Sequence, residues 1–303
     1  MNAPEVSVII PYYEGEKWLP LSISSVLKQK GISWELTVVD DGSTTSPEKT
    51  IASFKDERLR LVRVDHGGKG AAINEGTRQS RSSVIVILDQ DDLMKEDRLL
   101  NQLKALRENP DVEAVYSDYE CATEDGRLLE TRVCRQAGPR ELLHEMMTGR
   151  SLISMQTLMI RKSRLVRLGG FSSDISIMGL DDGEFFARLI CSGTKVLYVP
   201  IIATRYIFHD GNYSKSRKFQ DARISYLRNM KELCEICPLL ARELKYCRYH
   251  NHLMRGMYFL EHGEPSSALP ELMSAVAAYP LHLAAYYLFV KAGILSLQHG
   301  KGK

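Results

Sequence analysis

The chain lacks any strong charge of one sign: 40 Lys plus Arg stand against 38 Asp plus Glu, a formal net of +2 over 303 residues. That balance removes the whole-chain electrostatic case for a nucleic-acid partner. Long apolar runs are missing too. The best candidate, 281–297, is interrupted by His282 and Lys291 and falls short of the roughly 20 apolar residues a membrane span needs. No basic segment followed by an apolar one opens the sequence, so no secretory leader is expected. Cysteine is sparse, six in all, and in a long chain without a leader reduced thiols are expected. These absences predict a cytoplasmic protein that at most lies on the inner membrane face. A Walker A sequence is absent, and Gly68-Lys69-Gly70 lacks the third glycine of a dinucleotide fingerprint because Ile73 stands there, which excludes the NAD and P-loop readings.

What is present is ordinary in amount: 44% hydrophobic and 26% charged residues, which excludes disorder, collagen and coiled coil. At about 150 residues per domain, the length fits one large α/β domain or two modest units. Compact β-branched runs at 6–10, 35–39, 59–64 and 84–88 read as buried strands. Helical spacing at 19–27, a helix starting at Pro47, and another near 71–80 separate them. Such alternation predicts a parallel sheet covered by helices, with function at the carboxyl ends of the strands. Strand-like pieces follow over 111–135 and 154–160, then a helix at 181–191 and a strand at 196–199. Beyond Lys218 nearly everything reads helical, broken by Pro238, Pro265 and Pro280. The expected division is a catalytic-type domain over 1–218 and a helical accessory region over 219–303.

Three acidic groups follow apolar runs: Asp40-Asp41, Asp89-Gln90-Asp91-Asp92, and Asp181-Asp182. Aspartates gathered at strand ends suit a hard divalent cation that shares its oxygen ligands with substrate phosphates. A single pair can serve as a helix or turn cap. One cap does not need three aspartates.

The ordered set SVIIPYYEGEKWLPLSISSVLKQ, ELTVVDDGST, GGKGAAINEG, VILDQDD, GGF and LDDGEFFARL resembles the family 2 glycosyltransferases of the GT-A fold, over about two-thirds of the chain. The resemblance implies an α/β nucleotide-diphospho-sugar transferase fold, with a mostly parallel sheet between helices and a C-terminal helical tail. It implies transfer of a sugar from a nucleotide donor, a UDP-sugar by expectation, to an acceptor hydroxyl with inversion, in cell-surface or polysaccharide glycan synthesis. The donor, a glycan or lipid-linked acceptor, and Mn²⁺ or Mg²⁺ are the implied partners. Residue by residue, Pro11 and Tyr13 match the segment that stacks on the base, with Glu14 and Gln90 beside them. Asp41 matches the residue facing the base edge. Gly70 and Lys69 match the loop over the nucleotide. Asp89 faces the ribose side, and Asp91 the metal with His209 closing over it. Asp92 supports them. Asp182 matches the catalytic base, with Asp181 and Arg188 on the acceptor or supporting side.

Three departures stand out: Glu14 replaces an Asn, Ile73 an Arg, and Gly183 a bulky residue. They favour the alternative of a non-catalytic nucleotide-sugar-binding or scaffold protein with the same fold. A nucleotidyltransferase is disfavoured because no G-x-G-x-x-x-R start follows the first strand. Cys234, Cys237, Cys247 and His250 have zinc-like spacing, although cysteine on helical stretches also acts as a small buried hydrophobe. Trp18 reads as a core aromatic. Lys215, Arg217, Lys218, Arg223 and Arg228 read as a solvated helix face, or as a contact with anionic lipid.

Overall fold

The computed structural model describes the backbone of residues 3–300 and the side chains of 3–296. The chain folds as two compact units, one of residues up to 137 together with 152–212, the other of 138–151 together with 213 onward. The strands are β1 (Val6–Tyr12), β2 (Trp34–Asp41), β3 (Leu59–Val64), β4 (Val84–Ile87), β5 (Leu93–Met94), β6 (Ala114–Thr123), β7 (Leu128–Arg132), β8 (Met159–Arg161) and β9 (Val196–Phe208). The helices are α1 (Leu19–Leu27), α2 (Glu48–Ser53), α3 (Lys69–Gln79), α4 (Arg98–Glu108), α5 (Pro139–Met147), α6 (Lys162–Arg167), α7 (Asp181–Cys191), α8 (Arg217–Cys234), α9 (Pro238–Glu261), α10 (Pro265–Ala278) and α11 (Leu283–Gly300).

In the first unit the strand order is β3-β2-β1-β4-β8-β6-β9-β5, with β7 paired to β6. The block β3-β2-β1-β4 is parallel, in a register that sets Ile9 opposite both Thr37 and Ile87. Residues of β1, β2 and β4 are buried on both faces, which is why they read as continuous apolar runs. Antiparallel pairing begins at β8. One core packs Val8, Ile10, Val38 and Val86 against Ile23 of α1 and Leu99 of α4. The carboxyl ends of β1, β2 and β4 therefore open at one rim of the sheet, where ligands bind in such folds.

Two elements differ from expectation for physical reasons. The last strand is 13 residues long because β9 skips Pro200 and resumes: Ser117 pairs with Val199, but Asp118 with Ile202. A proline cannot donate to the ladder, so the break in register absorbs it. Helix α4 was not foreseen, since its buried face carries Arg98 and Gln102 beside Leu99, Leu103 and Leu106. Polar residues inside an apolar stripe mask the period.

The second unit packs α9 against α5, α8 and α10. Gly256 permits the close crossing of α9 and α10, since a Cβ there would lie 2.5 Å from Leu272 Cδ2. Among the described residues no helix is long and apolar enough to cross a membrane. Nor do any three His, Cys, Asp or Glu side chains there gather as a metal cage. The zinc reading of Cys234, Cys237, Cys247 and His250 is therefore corrected. Cys247 is buried, its thiol is pushed up to about 12 by burial, and Asn251 donates to its carbonyl. It is core packing.

Candidate active site

Strand β2 ends on Asp40-Asp41, and both aspartates bind nearby backbone amides, although Asp40 Oδ2 is buried with no hydrogen-bond partner among the described residues. Asp40 accepts the Ser43 amide at 2.9 Å and closes the turn after the strand. Asp41 accepts the Gly67 and Gly68 amides at 2.8 and 2.9 Å, so it ties the glycine loop to the strand end. Its Oδ2 also meets His66 Nδ1 at 2.9 Å. That imidazole stacks on the exposed ring of Tyr13, centroids 4.6 Å apart. Tyr13 follows β1 and is held by Gln90: its amide donates to Gln90 Oε1 at 2.9 Å, and Gln90 Nε2 donates to its carbonyl at 3.1 Å. Gly15 is needed for that clasp, because a Cβ would lie 2.4 Å from the Gln90 amide. Glu14 turns away, accepting the Thr44 amide at 2.6 Å, and that bond holds its carboxyl below the usual range.

Strand β4 ends one residue before Leu88, which leads into the second acidic group. Lys69, the first residue of α3, reaches Asp89 at 2.6 Å. Burial pulls the Lys69 ammonium down, but the charges of Asp89, Asp181 and Asp182 outweigh it and hold it well above the usual value. Asp91 Oδ2 lies 2.9 Å from His209 Nε2. Burial, then the charge of Asp89, raises Asp91. Burial raises Asp92 as well, and the charges of Asp91 and Asp89 add to it. Asp92 accepts the Ile207 amide at 3.2 Å and so fixes the end of β9, two residues before His209. Trp18 stacks on His209 with centroids 4.4 Å apart, which corrects its assignment to the core.

Helix α7 brings the third acidic pair. Asp181 is buried and accepts the Gly179 amide at 2.9 Å. Asp182 accepts the Gly183 amide at 2.7 Å. Burial, then the charge of Asp181, pushes the Asp182 carboxyl up to about 6, against the lowering pull of Lys69. Arg188 does not reach these acids. It pairs with Glu184 at 2.6 Å and donates to the Leu168 and Gly170 carbonyls at 2.5 and 2.8 Å, fastening the Gly169-Gly170 turn to α7.

Asn74 was missed as a structural determinant. Its side chain brackets Phe171 from α3, donating to the carbonyl and accepting the amide at 2.8 Å each. Gly70 is required nearby because a Cβ would lie 2.0 Å from the Ser172 carbonyl. His66 was missed as well. Its only signal was a titratable ring next to the glycines.

Carboxylates held this closely at raised affinity for protons call for positive charge. Oδ2 of Asp92 and Oδ2 of Asp181 are buried with no hydrogen-bond partner among the described residues. The Asp91–His209 donor pair fits Mn²⁺ or Mg²⁺, with further ligands taken from substrate oxygens and water.

The family model "Glycosyl transferase family 2" matches residues 7–163, just over half of the chain. An uncharacterized glycosyltransferase of Rickettsia felis is 36% identical over 132 residues, 43% of this chain and 22% of the relative. The match thus spans about a fifth of that protein. The UDP-Glc:alpha-D-GlcNAc-diphosphoundecaprenol beta-1,3-glucosyltransferase WfgD of Escherichia coli is 34% identical over 116 residues, 38% of this chain and 46% of the relative. Among solved structures, S. aureus TarS 1–349 in complex with UDP-GlcNAc aligns with a TM-score of 0.67 at 15% identity, covering 99% of this chain and 92% of that one. At that identity the likeness speaks for the fold alone. The chain belongs to glycosyl transferase family 2 and has its GT-A type of fold.

Proposed function

We propose that the protein transfers a sugar from a UDP-sugar to a hydroxyl of a glycan or lipid-linked acceptor, with metal assistance and inversion, in cell-surface or polysaccharide synthesis. The observation that carries this reading is Asp182. It is a carboxyl raised to about 6 by burial and by Asp181, in the electrostatic reach of Lys69 and Asp89. A group with that affinity is mostly ionised at neutral pH, yet basic enough to take a proton from an attacking hydroxyl. The activities named for the relatives, a glucosyl transfer onto a diphosphoundecaprenol-linked sugar among them, support the donor and acceptor classes.

In this reading Tyr13, backed by Pro11, offers the face on which the base stacks, and Asp41 with the loop it ties borders the base edge. Asp89 takes the ribose side. Lys69 supplies positive charge to the diphosphate, exchanging Asp89 for phosphate oxygens. Asp91 and His209 would hold Mn²⁺ or Mg²⁺, which when bound offsets the charge that builds on the departing diphosphate. Asp182 accepts the acceptor proton, and one such base implies direct displacement. Asp92 and Asp181 shape the field around these groups, and Arg188 fastens the acceptor-side turn.

Residues 1–218 carry catalysis in this reading, and 219–303 serve the acceptor side. Leu283, Tyr287, Val290 and Ile294 stay exposed at helical spacing on α11, a stripe suited to the inner membrane interface of a cytoplasmic protein. The test is transfer and donor hydrolysis with UDP-, GDP- and dTDP-sugars in Mn²⁺. Turnover with a UDP-sugar, lost in Asp182→Asn while UDP still binds, is expected. UDP binding with turnover unchanged by Asp182→Asn would move the protein to the non-catalytic class.

A further inference from the structure

The second unit contains a pocket that the donor chemistry does not use. A groove of about 850 Å³ runs between α5 and α9, and a deeper pocket of about 280 Å³ adjoins it; His144 and Tyr246 belong to both. The groove falls in the size range of small-molecule sites, roughly 300–1,000 Å³, and the adjoining pocket lies just below it. The pocket walls are aromatic. Tyr246 and Tyr249 both meet Tyr279 edge to face, with centroids 5.3 and 5.8 Å apart. Tyr249 also shares a 2.6 Å hydrogen bond with His282 Nδ1.

His250 lines the same pocket. Burial, with the charge of Arg223 adding to it, lowers the ring to about 4, so it stands neutral at physiological pH with one nitrogen to donate and one to accept. Gly149 lets the chain pass directly over this ring: its φ is +78°, and a Cβ would lie 2.3 Å from His250 Cε1. A side chain at 149 would strike the imidazole.

Charge decides the class of ligand. The groove is lined by three cations, Arg140, Arg242 and Lys245, and three carboxylates, Glu141, Glu145 and Glu243. Several of these charges are already matched. Buried Glu243 takes His144 at 2.8 Å and Arg140 at 3.8 Å, and Arg150 of the pocket wall pairs with Glu145 at 3.1 Å. Across groove and pocket four cations thus stand against three carboxylates, a surplus of one that is dispersed and not gathered into an anion site: Lys245 lies over the Tyr246 and Tyr279 rings, 4.9 and 5.7 Å from their centroids. The lining offers tyrosine rings, the neutral imidazole of His250 and hydroxyls that both donate and accept, the match for an uncharged, hydroxyl-rich ring with apolar C–H faces.

We propose that this pocket is a carbohydrate-binding subsite of the helical unit, taking one neutral sugar ring with the groove receiving the adjoining residues of the chain. The ligand class is argued from the lining of the pocket alone and does not depend on the donor reading.

The test is saturation-transfer NMR on the full chain with maltotriose and triacetylchitotriose as probes and inorganic phosphate as a competitor read by displacement of the sugar signal, with UDP binding followed separately by calorimetry. Transfer to at least one trisaccharide is expected. It should weaken at least tenfold in Tyr246→Ala and return in Tyr246→Phe, with UDP affinity unchanged in both variants. Absence of transfer to either trisaccharide from protein with native circular dichroism overturns the proposal. So does transfer that Tyr246→Ala leaves intact, or phosphate binding at the pocket in place of sugar. Loss of UDP binding alone would count against the donor reading and leave this one standing.

Discussion

The two ends of the parallel strands treat a buried carboxylate in opposite ways. At the amino end, Glu35 of β2 is surrounded by partners: the Ser7 hydroxyl at 2.5 Å, the Arg81 amide and guanidinium at 2.7 and 2.6 Å, and Arg60 at 3.2 Å. Burial raises its carboxyl, but the bonds from Ser7 and Arg81 outweigh it and hold Glu35 below the usual range. At the carboxyl end, Asp91, Asp92, Asp181 and Asp182 are raised by burial and by neighbouring acids. Chemistry this similar, solved at one end and left unsolved at the other, separates a carboxylate satisfied by its partners from carboxylates crowded together, the pattern that marks a candidate functional site.

The sharpest way to break the comparison is to neutralise one acid at each end. Asp182→Asn is expected to cut turnover by about 10²-fold or more and leave UDP affinity within about twofold, in steady-state kinetics and calorimetry. Glu35→Ala is expected to lower stability by about 3 kcal/mol in urea unfolding, the low end for a broken buried pair because Arg60 and Arg81 reach solvent. Asp181→Asn should be neutral or stabilising in the same assay, since it removes a buried charge whose Oδ2 has no hydrogen-bond partner. Equal destabilisation by both substitutions would erase the distinction.

The pH dependence sharpens it further, with opposite signs. Asp182 is raised from an ordinary 3.8 to about 6. The folded state therefore binds this proton more tightly, and the stability contributed is full below about 4 and lost as pH rises through 6. Glu35 is depressed from 4.5, so its contribution is present above that value and fades as pH falls through the folded one. Asp182→Asn should flatten the stability curve between about pH 4 and 6, and kcat/KM of the wild type should climb through about 6. The smallest effect is expected from Trp18→Leu, which frees the His209 ring. Mn²⁺ affinity, read by electron paramagnetic resonance, should fall about tenfold, the scale of losing an outer partner of a ligand.

The strand ends were legible in the sequence because β-branched runs stop abruptly on aspartates, a pattern few structural needs explain. What could not be read was how each aspartate is used. Asp41 and Asp182 look alike as the second acid of a pair, yet backbone amides from a distant glycine loop consume one and a crowd of acids surrounds the other. Those amides and acids come from separate strands and helices, and no spacing along the chain encodes their meeting. Arg188 shows the same limit: placed near the third pair by sequence, it serves the Leu168 and Gly170 carbonyls instead. In the second unit, the helical periodicity of α9 and α10 was visible. The joining of 138–151 to those helices was not, because it is a long-range contact of a segment flanked on both sides by the other unit.

The most direct measurement of the division of labour at the carboxyl end is calorimetric titration of UDP into the full chain with Mn²⁺, for the wild type, Asp91→Asn and Asp182→Asn. Saturable UDP binding is predicted, weakened at least tenfold in Asp91→Asn and preserved in Asp182→Asn. No binding of UDP, GDP or dTDP by the wild type, or equal loss of affinity in the two variants, would contradict it.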